Sequence, residues 1–335
     1  MGKHAQKFGA EGARPLRNAS PEPAVRLRSR EWTGISGIHR VHKPVGVSSH
    51  ACLRAFLGLA DGVARAEVPA CHGGTLDPFA EGLLLVLVGG ATRVMDRLHA
   101  LPKVYEADLA WGLETDTGDA GGVGVARADG LPARDAVEVA LAGFLGWRDQ
   151  VPPATSAKRV DGERAYVRAH RGEEVLLPPS RVYLHDARVT HWDAPARRAT
   201  IRLTCRGGYY VRALARDLGR AVGCPAHLVG LRRTAIGPWE DPGRAQGGPP
   251  TTRAASGPDL LPWLPSRVLT ASEHARLVQG GTIALGTLSP PRWSFPPGFP
   301  LPTPEVLGLV GTRAVTVLVE GGGLLRKETA LRGGV

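Results

Sequence analysis

In His72-Gly73-Gly74-Thr75-Leu76-Asp77-Pro78 a single carboxylate stands just before a proline, at the end of a loop loosened by two glycines. Leu83 to Val88 follows, an unbroken apolar run of strand length that reads as buried. An ionised carboxylate is expensive to take out of water without a partner, so an acid beside such a strand calls for a reason. One ionised Asp can act as a nucleophile or as a base. Asp-Pro is also ordinary turn punctuation, and the dipeptide alone reads as a turn. What the rest of the chain places beside Asp77 decides between the two.

The elements around it are legible from periodicity. Ile35 to Val41 reads as a strand and Lys43-Pro44-Val45-Gly46-Val47-Ser48-Ser49 as a turn, from which Ser48 or Ser49 can N-cap a short helix carrying Leu53, Phe56 and Leu57. Tyr105, Ala107, Leu109 and Trp111 alternate with Glu106, Asp108 and Ala110, the pattern of a half-buried strand. Residues 112–122 form a turn rich in Gly, Thr and Asp. Pro132 can start a helix whose apolar face is Val137, Ala140, Leu141, Phe144 and Leu145. Ile201, Leu203 and Cys205 mark another strand. Gly207-Gly208 then leads into a helix from about Tyr209 to Val222, stopped by Gly223. Its buried face is Val211, Leu214, Ala215, Leu218 and Val222, while Arg212, Arg216 and Arg220 line up at i, i+4 and i+8.

The chain has 335 residues, enough for one large core and a smaller second one. Its 42 Lys and Arg against 31 acids give net +11, which suggests a polyanionic partner such as nucleic acid. Cys52, Cys71, Cys205 and Cys224 show no paired spacing, so reduced thiols in a cytoplasmic protein are expected and a metal site is not. No stretch has the length of a membrane span, and no apolar signal-peptide core is present. Residues 1–33 hold seven Lys/Arg and three Glu and read as a disordered basic tail. Residues 34–240 read as the main domain and 241–262, rich in Pro and Gly at first, as a linker. A small β-rich unit at 263–332 completes the expected organisation. That unit has a helix near Ser272 to Gln279, strands near 306–310, 314–319 and 324–329, and seven prolines in 289–304 that exclude regular structure there.

Several separated motifs fall into one pattern. Lys43-Pro-Val-Gly-Val-Ser-Ser49, His72-Gly-Gly-Thr-Leu-Asp-Pro78 with Gly82 beyond, and Lys103-Val-Tyr105 come first. Gly112-Leu-Glu-Thr-Asp-Thr-Gly-Asp119, Gln150-Val-Pro-Pro153, and Gly208-Tyr-Tyr-Val-Arg212 running to Leu231-Arg-Arg233 complete the set. In this order and over residues 35 to 240 the chain resembles the TruB family of pseudouridine synthases, which isomerise the T-arm uridine (U55) of transfer RNA. The resemblance implies an α+β fold with a mixed, mainly antiparallel sheet and flanking helices, followed by a small β-rich PUA-like RNA-binding domain. It implies a stand-alone enzyme, monomeric, with tRNA as partner and no cofactor. The chemistry agrees. Isomerising uridine breaks the N-glycosidic bond, turns the uracil and rejoins it through carbon 5, consuming no water and moving no electrons. The paired acids of glycoside hydrolysis are therefore not required.

Residue roles follow from the same resemblance. Asp77 is the catalytic nucleophile or base. Arg212, whose guanidinium offers a fixed fork and keeps its charge, is the matching counter-ion. Tyr105 is expected to stack on the target uracil, with Tyr210 and Leu231 as walls of the same pocket. His72 is implied to enter the RNA loop and fill the space left by the flipped base. Lys43 is expected to brace the pocket or a phosphate, Asp116 and Asp119 to order their turn, and Arg216 and Arg220 to be plain surface arginines. Two departures stand out. Ala154-Thr155-Ser156-Ala157 follows Pro153 where relatives carry a tyrosine near the pocket, and the C-terminal unit is interrupted by its proline-rich stretch. Two other readings use the same residues: a non-catalytic RNA-folding factor that opens the tRNA elbow, and a guide-RNA-dependent dyskerin relative. The intact set of Asp77, Tyr105 and Arg212 favours catalysis, and the short C-terminal unit favours the stand-alone form.

Overall fold

A computed structural model of the chain describes residues 36–58, 68–156, 177–243 and 254–335, with scattered positions between 157 and 176. The basic stretch 1–33 lies outside the described residues. The chain passes through β1 (Gly37–Lys43), helix α1 (Ser49–Phe56), β2 (Ala70–His72), β3 (Glu81–Val88), a 3₁₀ segment (Gly89–Ala100) and β4 (Lys103–Trp111). Next come the hairpin of β5 (Leu113–Thr115) and β6 (Gly124–Arg127), helix α2 (Arg134–Ala142), β7 (Gly146–Gln150), and a small hairpin of β8 (Arg159–Val160) and β9 (Glu163–Arg164). Then follow β10 (Ser180–Asp193), β11 (Arg198–Cys205), helix α3 (Val211–Ala221), β12 (Ala226–Ile236) and β13 (Trp239–Glu240). The last elements are β14 (Ser266–Val268), helix α4 (Ala271–Val278), β15 (Thr282–Ala284), β16 (Val306–Val310), β17 (Arg313–Gly321) and β18 (Leu324–Ala330). No helix among the described residues is long and apolar enough to cross a membrane.

The large sheet has nine strands in the order β1-β3-β12-β4-β11-β10-β7, with β2 on β3 and β13 on β12. Its pairings are antiparallel except that β3 runs parallel to β12, with Glu81 opposite Arg232 and Gly82 opposite Arg233. β3 shows why its sequence does not alternate. Leu83, Leu85 and Leu87 enter one core, against the 3₁₀ segment and Ile38, while Leu84, Val86 and Val88 enter another, beneath α1. A strand covered on both faces reads as a continuous apolar run. β4 is covered on one face only: Tyr105, Ala107, Leu109 and Trp111 join the main core with α2, α3, β10, β11 and β12. Ser48 caps α1, its Oγ accepting from the N–H of Ala51 at 3.1 Å.

Two sequence expectations are corrected. Helix α2 ends at Ala142, so Phe144 packs into the core from the following turn and Leu145, expected on the helix's apolar face, is 43 % exposed. Gly143 stops the helix within its third turn, before it could reach them. Part of the interval expected as linker is also ordered. Ala255 exchanges backbone hydrogen bonds with Ile38 at 3.0 and 2.8 Å, and Leu260 and Leu261 are fully buried. Polar and Gly/Pro-rich composition up to 258 hid the apolar Leu260, Leu261 and Trp263, which join β1 and β3 to β16 and β17 in a shared core. The second sheet, in the order β14-β16-β17-β18-β15, rests on that core, and Arg97 ties the 3₁₀ segment to it through Glu305 at 2.6 Å.

Candidate active site

The loop between β2 and β3 is held on both sides of Asp77 through its backbone. The Ser49 hydroxyl donates to the Leu76 carbonyl (2.9 Å) and accepts the Leu76 N–H (2.8 Å). The Gly46 N–H donates to the Pro78 carbonyl at 2.8 Å. The Lys43 ammonium donates to the carbonyls of Pro44 and Val47 (both 2.8 Å) and of Pro78 (3.4 Å). From the other side Arg233, only 1 % exposed, donates to the carbonyls of Gly74 (3.1 Å), Thr75 (3.3 Å) and Leu83 (2.8 Å). Gly82 permits that approach: at φ +107° a Cβ there would sit 2.3 Å from the Arg233 carbonyl oxygen. These contacts fix the Asp77 backbone whatever its side chain does.

That side chain meets Arg212. Nε donates to Oδ2 at 2.8 Å and Nη2 to Oδ1 at 3.0 Å, a bidentate pair. The other three N–H groups of Arg212 donate to the Thr117 carbonyl (2.9 Å), the Thr155 hydroxyl (2.7 Å) and the Thr155 carbonyl (3.2 Å). Five donors thus meet five acceptors. Asp119 adds a second carboxylate 3.6 Å from Nη1. Arg212 occupies the first turn of α3, whose entry is set by Gln150. The Gln150 side chain accepts the Tyr210 N–H (2.9 Å) and donates to the Tyr210 carbonyl (3.1 Å), as a neighbouring strand would.

Asp77, Tyr105, Tyr210, Arg212 and Leu231 line one cavity of about 220 Å³, open on one side. Among the described residues of its wall Asp77 is the one carboxylate, while Arg206, Arg212 and Arg233 supply cations. Burial pushes the Tyr105 phenol up, against a smaller opposing pull from Arg233, and burial raises Tyr210 as well. Both phenols are therefore protonated near neutral pH and can donate a hydrogen bond but not serve as bases. Burial, with Lys103 beside it, lowers His99 and keeps that wall residue neutral. A partly exposed carboxylate clamped by a buried guanidinium, in one cavity wall with an aromatic ring, can attack or deprotonate a single ring held there.

His72 and Lys43 stand elsewhere. His72 ends β2, half-buried and paired in register with Val86, five residues ahead of Asp77 and outside the cavity wall. Lys43 was expected to brace the pocket or a phosphate; its side chain is fully buried and its ammonium is engaged by carbonyls, so it braces the Asp77 loop and does not reach a phosphate. Arg216 and Arg220 are not idle either. Arg216 donates to the Val151 carbonyl (3.0 Å), and Arg220 grips the buried Glu114 at 2.6 and 3.0 Å. Thr155 fills part of the segment where an aromatic is missing by holding Arg212 from above.

Lys103 was in view only as part of the Lys103-Val-Tyr105 motif, without a role of its own, yet it is buried in the cavity wall and donates to the carbonyls of Leu98 (2.9 Å) and Leu101 (3.3 Å). Two acceptors suit the two hydrogens of a neutral amine. Burial, helped by Arg233, lowers its pKa to about 7. The unfolded chain holds that proton up to about pH 10.5. Over this window the unfolded state binds more protons, so the group's contribution to stability rises with pH and is lost as pH falls toward 7. In Lys103→Met the gain in urea midpoint between pH 7 and about 9.5 should be smaller than in the parent protein. Equal gains in the two proteins would show that Lys103 is charged in the fold.

Comparison with known proteins follows the same residues. The family profile described as the N-terminal domain of TruB family pseudouridylate synthase matches residues 65–211, and that of the tRNA pseudouridylate synthase B C-terminal domain matches 212–245. A Bordetella pertussis protein named tRNA pseudouridine synthase B is 39 % identical over 216 residues, 64 % of this chain and 86 % of the relative. A Xanthomonas campestris pv. campestris protein of the same name is 35 % identical over 301 residues, covering 89 % and 95 % of the two chains. Among solved structures, a chain of a Cbf5-Nop10-Gar1 complex superposes with a TM-score of 0.59 over 94 % of this chain and 92 % of its own. At 19 % identity that likeness is one of fold.

Proposed function

The chain belongs to the TruB family of pseudouridine synthases and is a tRNA-modifying isomerase, and from that premise we propose that its target is the T-arm uridine, U55, and that Asp77 carries the chemistry. One observation supports the assignment above the others. Asp77 is the one carboxylate among the described cavity residues, and it is clamped by a guanidinium whose every N–H is engaged. In the reaction the C1′–N1 bond breaks, the uracil turns, C1′ joins C5, and the proton on C5 leaves for N1 or solvent. Asp77 supplies the nucleophile or base; Tyr105 stacks on the ring and Leu231 helps to keep water away. The cavity cannot admit a paired duplex, so the uridine enters flipped out of its loop, at a cost of a few kcal/mol. In this reading His72, at the end of β2, takes the vacated position in the RNA. The C-terminal sheet acts as a PUA-like RNA-binding unit, and the enzyme works as a monomer in the cytoplasm without a cofactor.

The test is an unmodified tRNA transcript incubated with the purified protein alone and then mapped for pseudouridine at single-nucleotide resolution. Conversion of the T-arm uridine is expected. Binding and refolding of the tRNA without conversion would make the protein a folding factor, and conversion only with an added guide RNA would make it a dyskerin-like synthase.

The basic stretch 1–33, net +4 from seven basic and three acidic residues, carries no motif for reading bases. Its removal is expected to weaken RNA binding modestly and to flatten the dependence of log affinity on log salt, because fewer counterions are released. The modified position should not change. An unchanged salt slope would mean that the stretch does not touch RNA.

A further inference from the structure

Removing the proton from C5 requires a base, and the cavity wall offers few. Tyr105, Tyr209 and Tyr210 are phenols that burial pushes up and keeps protonated. Arg206, Arg212 and Arg233 keep their protons at any working pH. Asp77 has both oxygens on Arg212, and opening the C1′–N1 bond already draws on it. Among the described residues of the wall this leaves two nitrogen bases, His99 and Lys103. His99 is exposed to water, whereas Lys103 is only 5 % exposed.

Lys103 begins β4 two residues before Tyr105, on the same face of the strand, so the amine and the stacking ring share one wall. Its partners in register are Cys205 on β11 and Ile236 on β12, both buried. The neutral amine gives its two hydrogens to the Leu98 and Leu101 carbonyls, and the remaining direction of the nitrogen is its lone pair. Gly207, of the same wall, lies against it: a Cβ there would stand 3.1 Å from Nζ and crowd the amine. Burial first, then Arg233 with Arg206 behind it, favours the neutral form. Cys205 pulls the other way, but burial pushes its thiol up to about 12 and leaves it uncharged. His99, the remaining titratable neighbour, is itself held neutral.

We propose that Lys103 is the base that takes the proton from C5 of the target uracil and then gives it to N1. This rests on the reading that the cavity isomerises a flipped uridine. Once C1′ has joined C5, that carbon carries both the sugar and a hydrogen. The amine takes the hydrogen as a proton. The electron pair left behind forms the C5–C6 double bond and places a negative charge on N1. The ammonium then protonates N1 and is a neutral amine again, so nothing is oxidised, reduced or consumed. A buried lysine with a pKa of about 7 suits both halves, because it is a free base near neutral pH and its ammonium is a ready acid.

The test uses a T-arm stem-loop RNA with hydrogen or deuterium at C5 of the target, converted in single turnover by saturating full-length protein. Lys103→Met is expected to slow conversion about a hundredfold and to make it more sensitive to deuterium than the parent. Lys103→Arg keeps donors for the Leu98 and Leu101 carbonyls but cannot lose its proton, so it should be as slow as Lys103→Met. The parent protein supplies a measurement free of substitution. Below pH about 7 the neutral fraction of Lys103 falls about tenfold per pH unit, so the rate should drop and the isotope effect should grow. This acid limb should vanish in Lys103→Met and persist in His99→Gln. A parent rate in Lys103→Met, rescue by Lys103→Arg, or a slow Lys103→Met with no larger isotope effect overturns the assignment. So does a parent isotope effect that is constant through pH 7, or an acid limb that disappears with His99 instead. A parent protein that forms no pseudouridine overturns the assigned reaction itself, and the base falls with it.

Discussion

Asp77→Asn is expected to lower pseudouridine formation by at least about a thousandfold while tRNA affinity stays within a few-fold of the parent. The substitution keeps the side chain's size and one acceptor oxygen. The loop should also keep its shape, because Ser49, Gly46, Lys43 and Arg233 hold it by the carbonyls and N–H groups of residues 74–78 and not by the carboxylate. What disappears is the negative charge, and with it any nucleophile or base of that kind in the cavity wall among the described residues. Affinity resides in phosphate contacts spread over a surface of net +11 and is little affected by one acid. Single-turnover conversion and filter binding on the same preparation measure the two quantities. Multiple turnovers by the Asn variant would remove Asp77 from the chemistry.

Arg212→Lys is expected to slow single-turnover conversion on the order of a hundredfold although the charge is kept. Arg212 satisfies acceptors on three segments at once: Asp77 on the loop after β2, Thr117 on the hairpin between β5 and β6, and Thr155 beyond β7. Lysine brings three N–H donors from a single point, so at least two of five acceptors lose their partner and the fork that aims both carboxylate oxygens is gone. A buried acceptor left unpaired costs about 1–3 kcal/mol, so the melting temperature should fall as well. Assaying well below that temperature, with enzyme saturating, separates misalignment from unfolding. A parent-like rate would mean that Asp77 is aimed by its backbone alone.

The strands that position this site were legible because burial leaves a period. Leu83–Val88 announces a strand covered on both faces, and the alternation from Tyr105 to Trp111 announces one covered on a single face. The same period contained residues that went unread. Lys103 shares the parity of Tyr105 on β4, and Arg233 shares that of Leu231 on β12, so both had to face inward. Their charge argued for solvent and concealed the parity. The arginines of α3 show the converse limit. Arg212, Arg216 and Arg220 share a helix face by spacing, but their side chains are 5 %, 17 % and 61 % exposed because the neighbouring elements cover only its first turns. Helix spacing fixes an angle around the axis and says nothing about where along the axis the cover ends. Thr155 and Gln150 were in view as part of a motif, but that they hold Arg212 and Tyr210 depends on loops meeting across the chain, for which sequence carries no local signal.

The parallel seam between β3 and β12 also governs how the protein is made. Arg233 grips the Leu83 carbonyl across 150 residues of chain. At a ribosomal rate of about 5–20 residues per second, β3 is finished roughly 7–30 s before the strand that pairs with its first two residues. During that time β1 and β2, both close in sequence, can pair with β3, while Glu81 and Gly82 at its start wait for β12. Loop closure of that length makes the seam a late step in folding. Chains that end before β12 therefore lack the Arg233 contacts to Gly74, Thr75 and Leu83, so the catalytic loop is synthesised well before the strand that finishes holding it.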